Sequence, residues 1–306
     1  PDAHFFTEVR YKGAKTVAVT PDYAEISKLC DLWMHPKQGT DAAVAMAMGH
    51  VILKEFYFKD GGKGRSAYFD DYARRYTDLP LLVVLKEKTL PDGRKAMVPD
   101  RYVRASDFPN KLDQSNNPDW KTVGYDELGQ VTLPNGSIGF RWGTDGRPDQ
   151  GLWNLENKDA RTGNDVKLKL SVIEDGEQPH DVADVAFPYF GGVHAPNFTA
   201  NDQGGDVLLR NVPVRRVVLA DGEARITTVF DLLCANYGLD RGLGGACATS
   251  FEEDVPYTPA WQESITGVTA DKAIALARGF ADNAEKTKGR SMVIIGAGMN
   301  HWYHQD

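Results

Sequence analysis

The sequence predicts an α/β protein: a nucleotide-binding-like parallel sheet flanked by helices and interrupted by a long irregular β-rich insertion. Short apolar runs at residues 15–19 and 31–35 alternate with helical patterns. Polar, glycine-containing loops follow both runs, as they follow the strands of open parallel sheets. Helical periodicity fades between residues 86 and 254, where Gly, Pro, Asn and Asp become frequent, and it returns near the end.

Residues 1–85 carry the first part of the predicted α/β unit. A helix over residues 3–11 ends before Gly13, a residue type that suits the left-handed position after a helix. A turn follows the first strand and caps a second helix over residues 23–30. This turn consists of Thr20, Pro21 and Asp22.

The loop after the second strand leads into a helix over residues 42–56, capped by Thr40 or Asp41. Small residues on this helix favour close packing against the sheet. The loop contains Gly39, Thr40 and Asp41. A further helix over residues 66–76 and a strand over residues 81–85 complete this first part.

Residues 86–254 form the predicted insertion, in which short β-like pieces are separated by turn signals such as Asp221-Gly222. The predicted pieces are residues 95–98, 122–125, 130–133, 166–173, 214–219 and 224–228.

Residues 255–306 return to the α/β unit. Pro259 starts a short helix, and Thr269 caps a longer one over residues 270–283. Residues 291–295 read as a buried strand that ends in a tight glycine turn, Gly296 to Gly298. We expect this strand to join the sheet of the first fifty residues, which would place all three strand-end loops side by side.

Composition excludes several classes of protein. The net charge of −8 argues against nucleic acid as the main partner. No apolar run approaches the roughly 20 residues of a membrane-spanning helix. Cys30, Cys234 and Cys247 lie far apart, so their spacing supports neither a zinc site nor an iron–sulfur cluster, and we expect three reduced thiols and no metal ligands.

The loop residues admit two interpretations each. Gly296 and Gly298 leave the backbone open, so a phosphate could accept hydrogen bonds from main-chain amides, or the glycines could simply form a tight turn. Asp22 lies where nucleotide folds often contact a ribose or base, but on sequence alone an ordinary N-cap is the favoured explanation. Asp41 has the same two interpretations.

The histidines carry less information. His301 and His304 are three residues apart beside Asn300, and this spacing alone does not define a metal site. The remaining histidines downstream of the first helix have no partner spacing and are predicted to be structural: His35, His50, His180 and His194.

Long blocks along the whole chain resemble one protein family. They are residues 1–51, RRYTDLPLLV (74–83), NGSIGFRWG (135–143), VAFPYFGG (185–192), ANYGLDRGL (235–243) and GRSMVIIGAGMNHWYHQD (289–306). Together they resemble the catalytic α subunit of respiratory membrane-bound nitrate reductases. These belong to the dimethyl-sulfoxide-reductase family of molybdenum bis(molybdopterin guanine dinucleotide) oxidoreductases. That subunit is several times longer, so the resemblance implies an internal fragment.

The resemblance implies which residues bind the cofactor. In the family, segments matching the first two loops and the strand-end glycines contact the guanosine and phosphate parts of one pterin dinucleotide. Many relatives have Asp-Pro-Arg where this chain has Thr20-Pro21-Asp22, a departure at the ribose or guanine contact. The resemblance also places Asp2 and His4 near the cofactor. It places Asn300 and His301 in the active-site funnel, where His301 would hydrogen-bond a pterin or guide nitrate.

The implied reaction is the two-electron reduction of nitrate to nitrite. Electrons would come from quinol through an iron–sulfur β subunit and a haem-containing membrane subunit, at the cytoplasmic face of the cell membrane. In the family, the aspartate ligand of molybdenum and the ligands of a [4Fe–4S] cluster lie upstream of residue 1. The fragment alone is therefore expected to be inactive.

Three other functions stay open. One is a related reductase acting on chlorate or selenate. Another is an NAD(P)-binding dehydrogenase domain, which the absence of GxGxxG after the first strand disfavours. The third is a non-catalytic interaction module, which would bind no nucleotide.

Overall fold

The computed structural model describes residues 3–23, 26–58, 66–90, 93–115, 117–134, 158–159, 162–173, 179, 181–189 and 207–296. The helices in these residues are α1 (Ala3–Tyr11), α2 (Asp41–Ile52), α3 (Ala67–Tyr76), α4 (Val229–Asn236), α5 (Pro259–Thr266) and α6 (Ala270–Thr287). The strands are β1 (Val17–Val19), β2 (Leu32–Met34), β3 (Leu82–Thr89), β4 (Lys95–Tyr102), β5 (Gly124–Tyr125), β6 (Val131–Thr132), β7 (Asp181–Pro188), β8 (Val207–Leu219) and β9 (Gly222–Thr228).

A small parallel sheet joins β1 to β2, as the two apolar runs predicted. One face packs on the helices, where Met34 meets Val44 of α2 and Val268, which lies in the loop between α5 and α6. The predicted helix over residues 23–30 is wrong. In its described part only a 3₁₀ turn forms, Ser27–Leu29. The Ser27 hydroxyl donates to Asp22 O, and the Cys30 thiol donates to Ser27 O. These two hydrogen bonds hold the segment in a compact turn.

Helix α2 continues as one π-helical turn, Leu53–Tyr57, so the predicted helix over residues 42–56 is confirmed. His50 is fully buried, and its Nδ1 lies 2.7 Å from the carbonyl oxygen of Tyr237. The ring of Tyr237 covers Gly49 so closely that a Cβ there would lie 2.3 Å from a ring carbon. A small residue is therefore required where α2 meets the end of α4.

Substitution of two helical glycines by alanine should change the free energy of unfolding in opposite directions. We expect Gly49→Ala to lower the free energy of unfolding by about 1–3 kcal/mol, because the added methyl overlaps the Tyr237 ring. Gly279→Ala in α6 meets no atom within 4 Å and should raise stability by up to about 1 kcal/mol through helix propensity. Urea denaturation of both variants measures the difference. Equal effects would contradict the tight packing at Gly49.

The predicted irregular insertion contains a regular structure. Five strands, β3, β4, β7, β8 and β9, form a closed barrel in which β4 and β7 pair in parallel and the other neighbours are antiparallel. The expectation of a β-rich insertion is therefore confirmed, but these strands form a regular barrel and the expected irregularity is corrected in this part. Strand β3 runs through the predicted boundary between residues 85 and 86 and continues to Thr89.

Sequence patterns missed two elements, β7 and α4, and misassigned a third. Residues 166–173 are not a strand. They form an irregular segment whose Leu168, Leu170 and Val172 are buried. The short pieces at 95–98, 122–125, 130–133, 214–219 and 224–228 all contain or overlap observed strands.

A buried ion pair fixes α4 on the barrel. Thr228 caps α4 by accepting a hydrogen bond from Asp231 N. The Asp231 carboxylate accepts from Ser171 Oγ at 2.6 Å, Val172 N at 2.9 Å and Arg241 Nη1 at 2.7 Å. Burial alone would lower the pKa of Arg241, but attraction to Asp231 and Cys234 and the hydrogen bond to Asp231 together outweigh burial and raise that pKa.

Helices α5 and α6 confirm the predicted return to helical structure, with Thr258 capping α5 through Trp261 N. The predicted buried strand over residues 291–295 is wrong. These residues follow α6 as an irregular segment, and Met292, Val293, Ile294 and Ile295 are 76, 64, 75 and 54% exposed. Asn283 Nδ2 holds the start of the segment on α6 by donating to Arg290 O and to Ser291 Oγ.

Candidate functional site

The carboxyl ends of β1 and β2 lie at the same edge of the sheet because the strands are parallel. Their register pairs Val19 with Met34, and Thr20 N donates to Met34 O at 3.0 Å. The loop that starts at Thr20 and the loop that starts at His35 therefore leave the sheet side by side. We call this place the strand-end edge.

Hydrogen bonds hold the first loop in place. The indole Nε1 of Trp33 donates to Thr20 O at 2.9 Å, and Asp22 N donates to Thr20 Oγ1 at 3.3 Å. Thr20 is half-buried, whereas Pro21 and Asp22 are exposed. The loop thus presents the Asp22 side chain to solvent on a fixed backbone.

The second loop turns sharply into α2. Gly39 has φ +75°, the left-handed region that glycine adopts without a steric penalty. The Thr40 hydroxyl donates to Lys37 O at 2.6 Å and makes no capping hydrogen bond to α2. Lys37 N donates to Thr266 O, which ties the loop to the end of α5. Asp41 then begins the helix.

This arrangement suits a nucleotide. The first-turn amides of a twelve-residue helix attract anions, and the Thr40 side chain does not cap them here. Carboxylates such as Asp22 and Asp41 accept hydrogen bonds from ribose hydroxyls or base N–H groups. The strand-end edge therefore combines donors for a phosphate with acceptors for a sugar or base.

The third predicted loop does not join this edge through a strand. Gly296 is the last described residue of the exposed segment after α6, and a Cβ built on it would meet no atom within 4 Å. The expectation that residues 291–295 extend the sheet is corrected by their irregular backbone. Gly298, Asn300 and His301 lie outside the described residues, as does Asp2.

His4 is exposed on the first turn of α1, with its ring 3.9 Å from that of Phe5. Its described contacts do not link it to the strand-end edge. His50, predicted to be structural, is buried and bonded to Tyr237 O.

The structure also places aromatic rings at the strand-end edge that sequence reasoning did not assign. Trp33 lies 4.9 Å from Tyr23 and 4.8 Å from His35, measured between ring centroids. Strand alternation could have indicated this, because Trp33 must point away from the face that buries Met34. His35 was predicted to be structural, yet it is exposed.

Other chemistry is not assembled in the described part of the chain. Its residues contain no group of three or more His, Cys, Asp or Glu side chains that could hold a metal ion. Cys30, Cys234 and Cys247 form no disulfide bond with one another, and Cys234 is buried. Among the described helices, none combines the length and apolar character needed to cross a membrane. A cavity of about 320 Å³ lies on the barrel between Glu87, Lys95, Asp184 and Arg225, away from the strand-end edge.

Comparison with known proteins identifies relatives of this chain. The model of the family described as molybdopterin oxidoreductase matches residues 2–306. The respiratory nitrate reductase 1 alpha chain of Escherichia coli is 56% identical over the whole chain, which covers 23% of that protein. The nitrate reductase alpha chain of Bacillus subtilis is 43% identical, with the same coverage.

A more distant relative is the perchlorate reductase subunit alpha of Dechloromonas aromatica, 28% identical over 100% of the chain and 24% of the relative. The chain thus spans about a quarter of the length of the curated relatives that it matches. Because the family model matches nearly every residue, the chain belongs to the molybdopterin oxidoreductase family.

Proposed function

We propose that this chain binds the guanine nucleotide end of a molybdopterin guanine dinucleotide in an enzyme that reduces nitrate to nitrite. The observation that carries the proposal is the strand-end edge, where the loops bearing Asp22 and Asp41 leave adjacent parallel strands. The 56% identity to a respiratory nitrate reductase alpha chain supports the choice of reaction.

The residues at this edge fit the group. Gly39 has no side chain to obstruct an approaching phosphate, and nothing lies within 4 Å of where its Cβ would be. The amides at the start of α2 would donate to that phosphate. Asp41 and Asp22 would accept hydrogen bonds from the ribose and guanine, while Thr20, Pro21 and Thr40 shape the two loops.

The remaining predicted contacts complete the proposal. Asp2 and His4 would flank the cofactor, and Gly296 and Gly298 would let a pterin or phosphate approach the backbone. Asn300 and His301 would face the reacting centre, where His301 hydrogen-bonds a pterin or guides nitrate. When bound, the group supplies oxygen-atom transfer and two-electron chemistry at molybdenum.

The wider enzyme is part of the same proposal. Its electrons come from quinol through [4Fe–4S] clusters of an iron–sulfur β subunit and through a haem-containing membrane subunit. These partners hold the catalytic subunit at the cytoplasmic face of the cell membrane. The residues of this chain contribute binding and orientation, and the ligands of molybdenum and of the [4Fe–4S] cluster come from other parts of the polypeptide.

Asp41→Asn tests the nucleotide site. In the cofactor-free full-length subunit, we expect GDP to bind roughly tenfold or more weakly than to the wild type, since the variant loses a charge-assisted hydrogen bond. Isothermal titration measures the affinity. The purified enzyme should also contain less guanine nucleotide per subunit and reduce less nitrate.

Asp71→Asn is the matched control, because Asp71 pairs with Arg75 on the exposed surface of α3. It should leave GDP affinity unchanged. Equal affinity of both variants would count against the site. Tighter binding of NADH than of GDP by the wild type would favour a dehydrogenase, and binding of neither would favour an interaction module.

A second candidate is an oxyanion reductase with another preferred substrate, which the 28% identity to a perchlorate reductase subunit favours. Relative rates of the intact enzyme with nitrate, chlorate, perchlorate and selenate distinguish the two. Nitrate should give the highest kcat/KM if the first proposal holds.

A further inference from the structure

Three aromatic rings form a row at the strand-end edge. The central ring, Trp33, is half-buried and fixed by the hydrogen bond from its Nε1 to Thr20 O. Tyr23 meets it edge-on, with an angle of 67° between the ring planes, and His35 meets it at 40°. We call Tyr23, Trp33 and His35 the aromatic row.

The outer rings of this row are exposed. Tyr23 is 57% exposed although it directly follows Asp22, and His35 is exposed although it directly follows β2. A T-shaped contact uses one edge or face of a ring and leaves other ring surface uncovered. The row therefore offers flat apolar surface to solvent between the two loops that carry the carboxylates.

A nucleotide base is the ligand that matches this surface. Bases stack on aromatic side chains through their π-faces, and the stacking tolerates any base. Recognition of a particular base needs polar groups at its edge, and here Asp22 immediately precedes Tyr23 in the chain. The flat apolar surface can contact the face of a purine, and the Asp22 carboxylate on the same loop can accept hydrogen bonds from its edge.

We propose that Tyr23, with His35, forms the platform on which the purine of the bound nucleotide stacks, and that Trp33 positions both rings. This inference rests on the proposed function and adds the residues that hold the base. Tyr23 and His35 are binding residues in this account. Trp33 is a positioning residue, because its indole is anchored to the backbone of the first loop.

Titration of the cofactor-free full-length subunit with GDP and with ribose 5-phosphate tests the platform. Tyr23→Leu should weaken GDP binding roughly tenfold or more, because base stacking is lost, and should leave ribose 5-phosphate binding unchanged. Tyr23→Phe keeps the ring and should bind GDP as the wild type does. Tyr11→Leu removes another exposed tyrosine, on α1, and should also bind normally.

The outcomes separate this inference from the proposed function. Wild-type affinity of Tyr23→Leu for GDP would overturn the platform while leaving the nucleotide site intact. Failure of the wild type to bind GDP would overturn both. Equal weakening of GDP and ribose 5-phosphate would show that Tyr23 supports the loop and not the base, which also overturns the platform. Circular dichroism confirms that each variant is folded.

Discussion

Asp231→Ala is expected to lower the free energy of unfolding by about 3–5 kcal/mol, the typical cost of removing one partner from a buried ion pair. Asp231 is fully buried and the side chain of Arg241 is 8% exposed, so water cannot replace the lost carboxylate. The variant also removes acceptors for Ser171 Oγ and Val172 N. The midpoint of urea denaturation measures the loss.

The matched control is Asp71→Ala, which breaks a pair whose side chains are 42 and 55% exposed. Its cost should stay below about 1 kcal/mol. Hydrogen exchange should also accelerate in α4 of the Asp231 variant, because Thr228 and Asp231 together fix the start of that helix. A loss no larger than that of the control would mean that solvent reaches the ion pair.

The second large expected effect is a loss of stability in acid that depends on His50. Burial lowers the pKa of His50 from 6.5 to about 4, and the positive charges of Lys54 and Arg210 act in the same direction. The Tyr237 carbonyl opposes this by accepting a hydrogen bond from Nδ1. Because the carbonyl can only accept, Nδ1 carries the proton of the neutral ring.

The sign of the effect follows from linkage. Between pH 6.5 and about 4 the unfolded chain binds a proton at His50 and the folded chain does not. The free energy of unfolding therefore falls as the pH drops. The part that depends on the neutral His50 ring is fully present above pH 6.5 and is lost by about pH 4, a total of about 3 kcal/mol. Urea midpoints measured from pH 7 to 4 follow it.

His50→Gln should flatten that part of the pH profile even if it lowers stability throughout. His4→Gln changes an exposed histidine and should retain the wild-type slope. An unchanged slope in His50→Gln would assign the acid sensitivity to other groups.

Local patterns were enough to predict the edge that carries the candidate site. Apolar runs, a turn and a cap placed β1, β2 and α2, and parallel pairing then brought Thr20 beside His35. The aromatic row was missed because ring contacts depend on side-chain directions across the sheet. The T-shaped contact joins Tyr23 of the first loop to Trp33 of β2 and leaves no periodic signal.

The barrel could not be read from local patterns for a related reason. Its closure pairs β3 with β9, for example Leu82 with Thr228, which lie far apart in the chain. Strand β7 begins with an aspartate and ends with a proline, so it lacks the composition typical of a strand. The apolar run at 291–295 has that composition, yet its backbone is irregular.

The parallel sheet has a consequence for how the strand-end edge can be extended. In the described part of the chain it contains two strands, so β1 and β2 each retain an outer row of amides and carbonyls. A further parallel strand that paired with either row would place its own terminal loop at the strand-end edge. Further strands can thus be added on either side of the strand-end edge, with no change in the backbone of Val17–Val19 or Leu32–Met34.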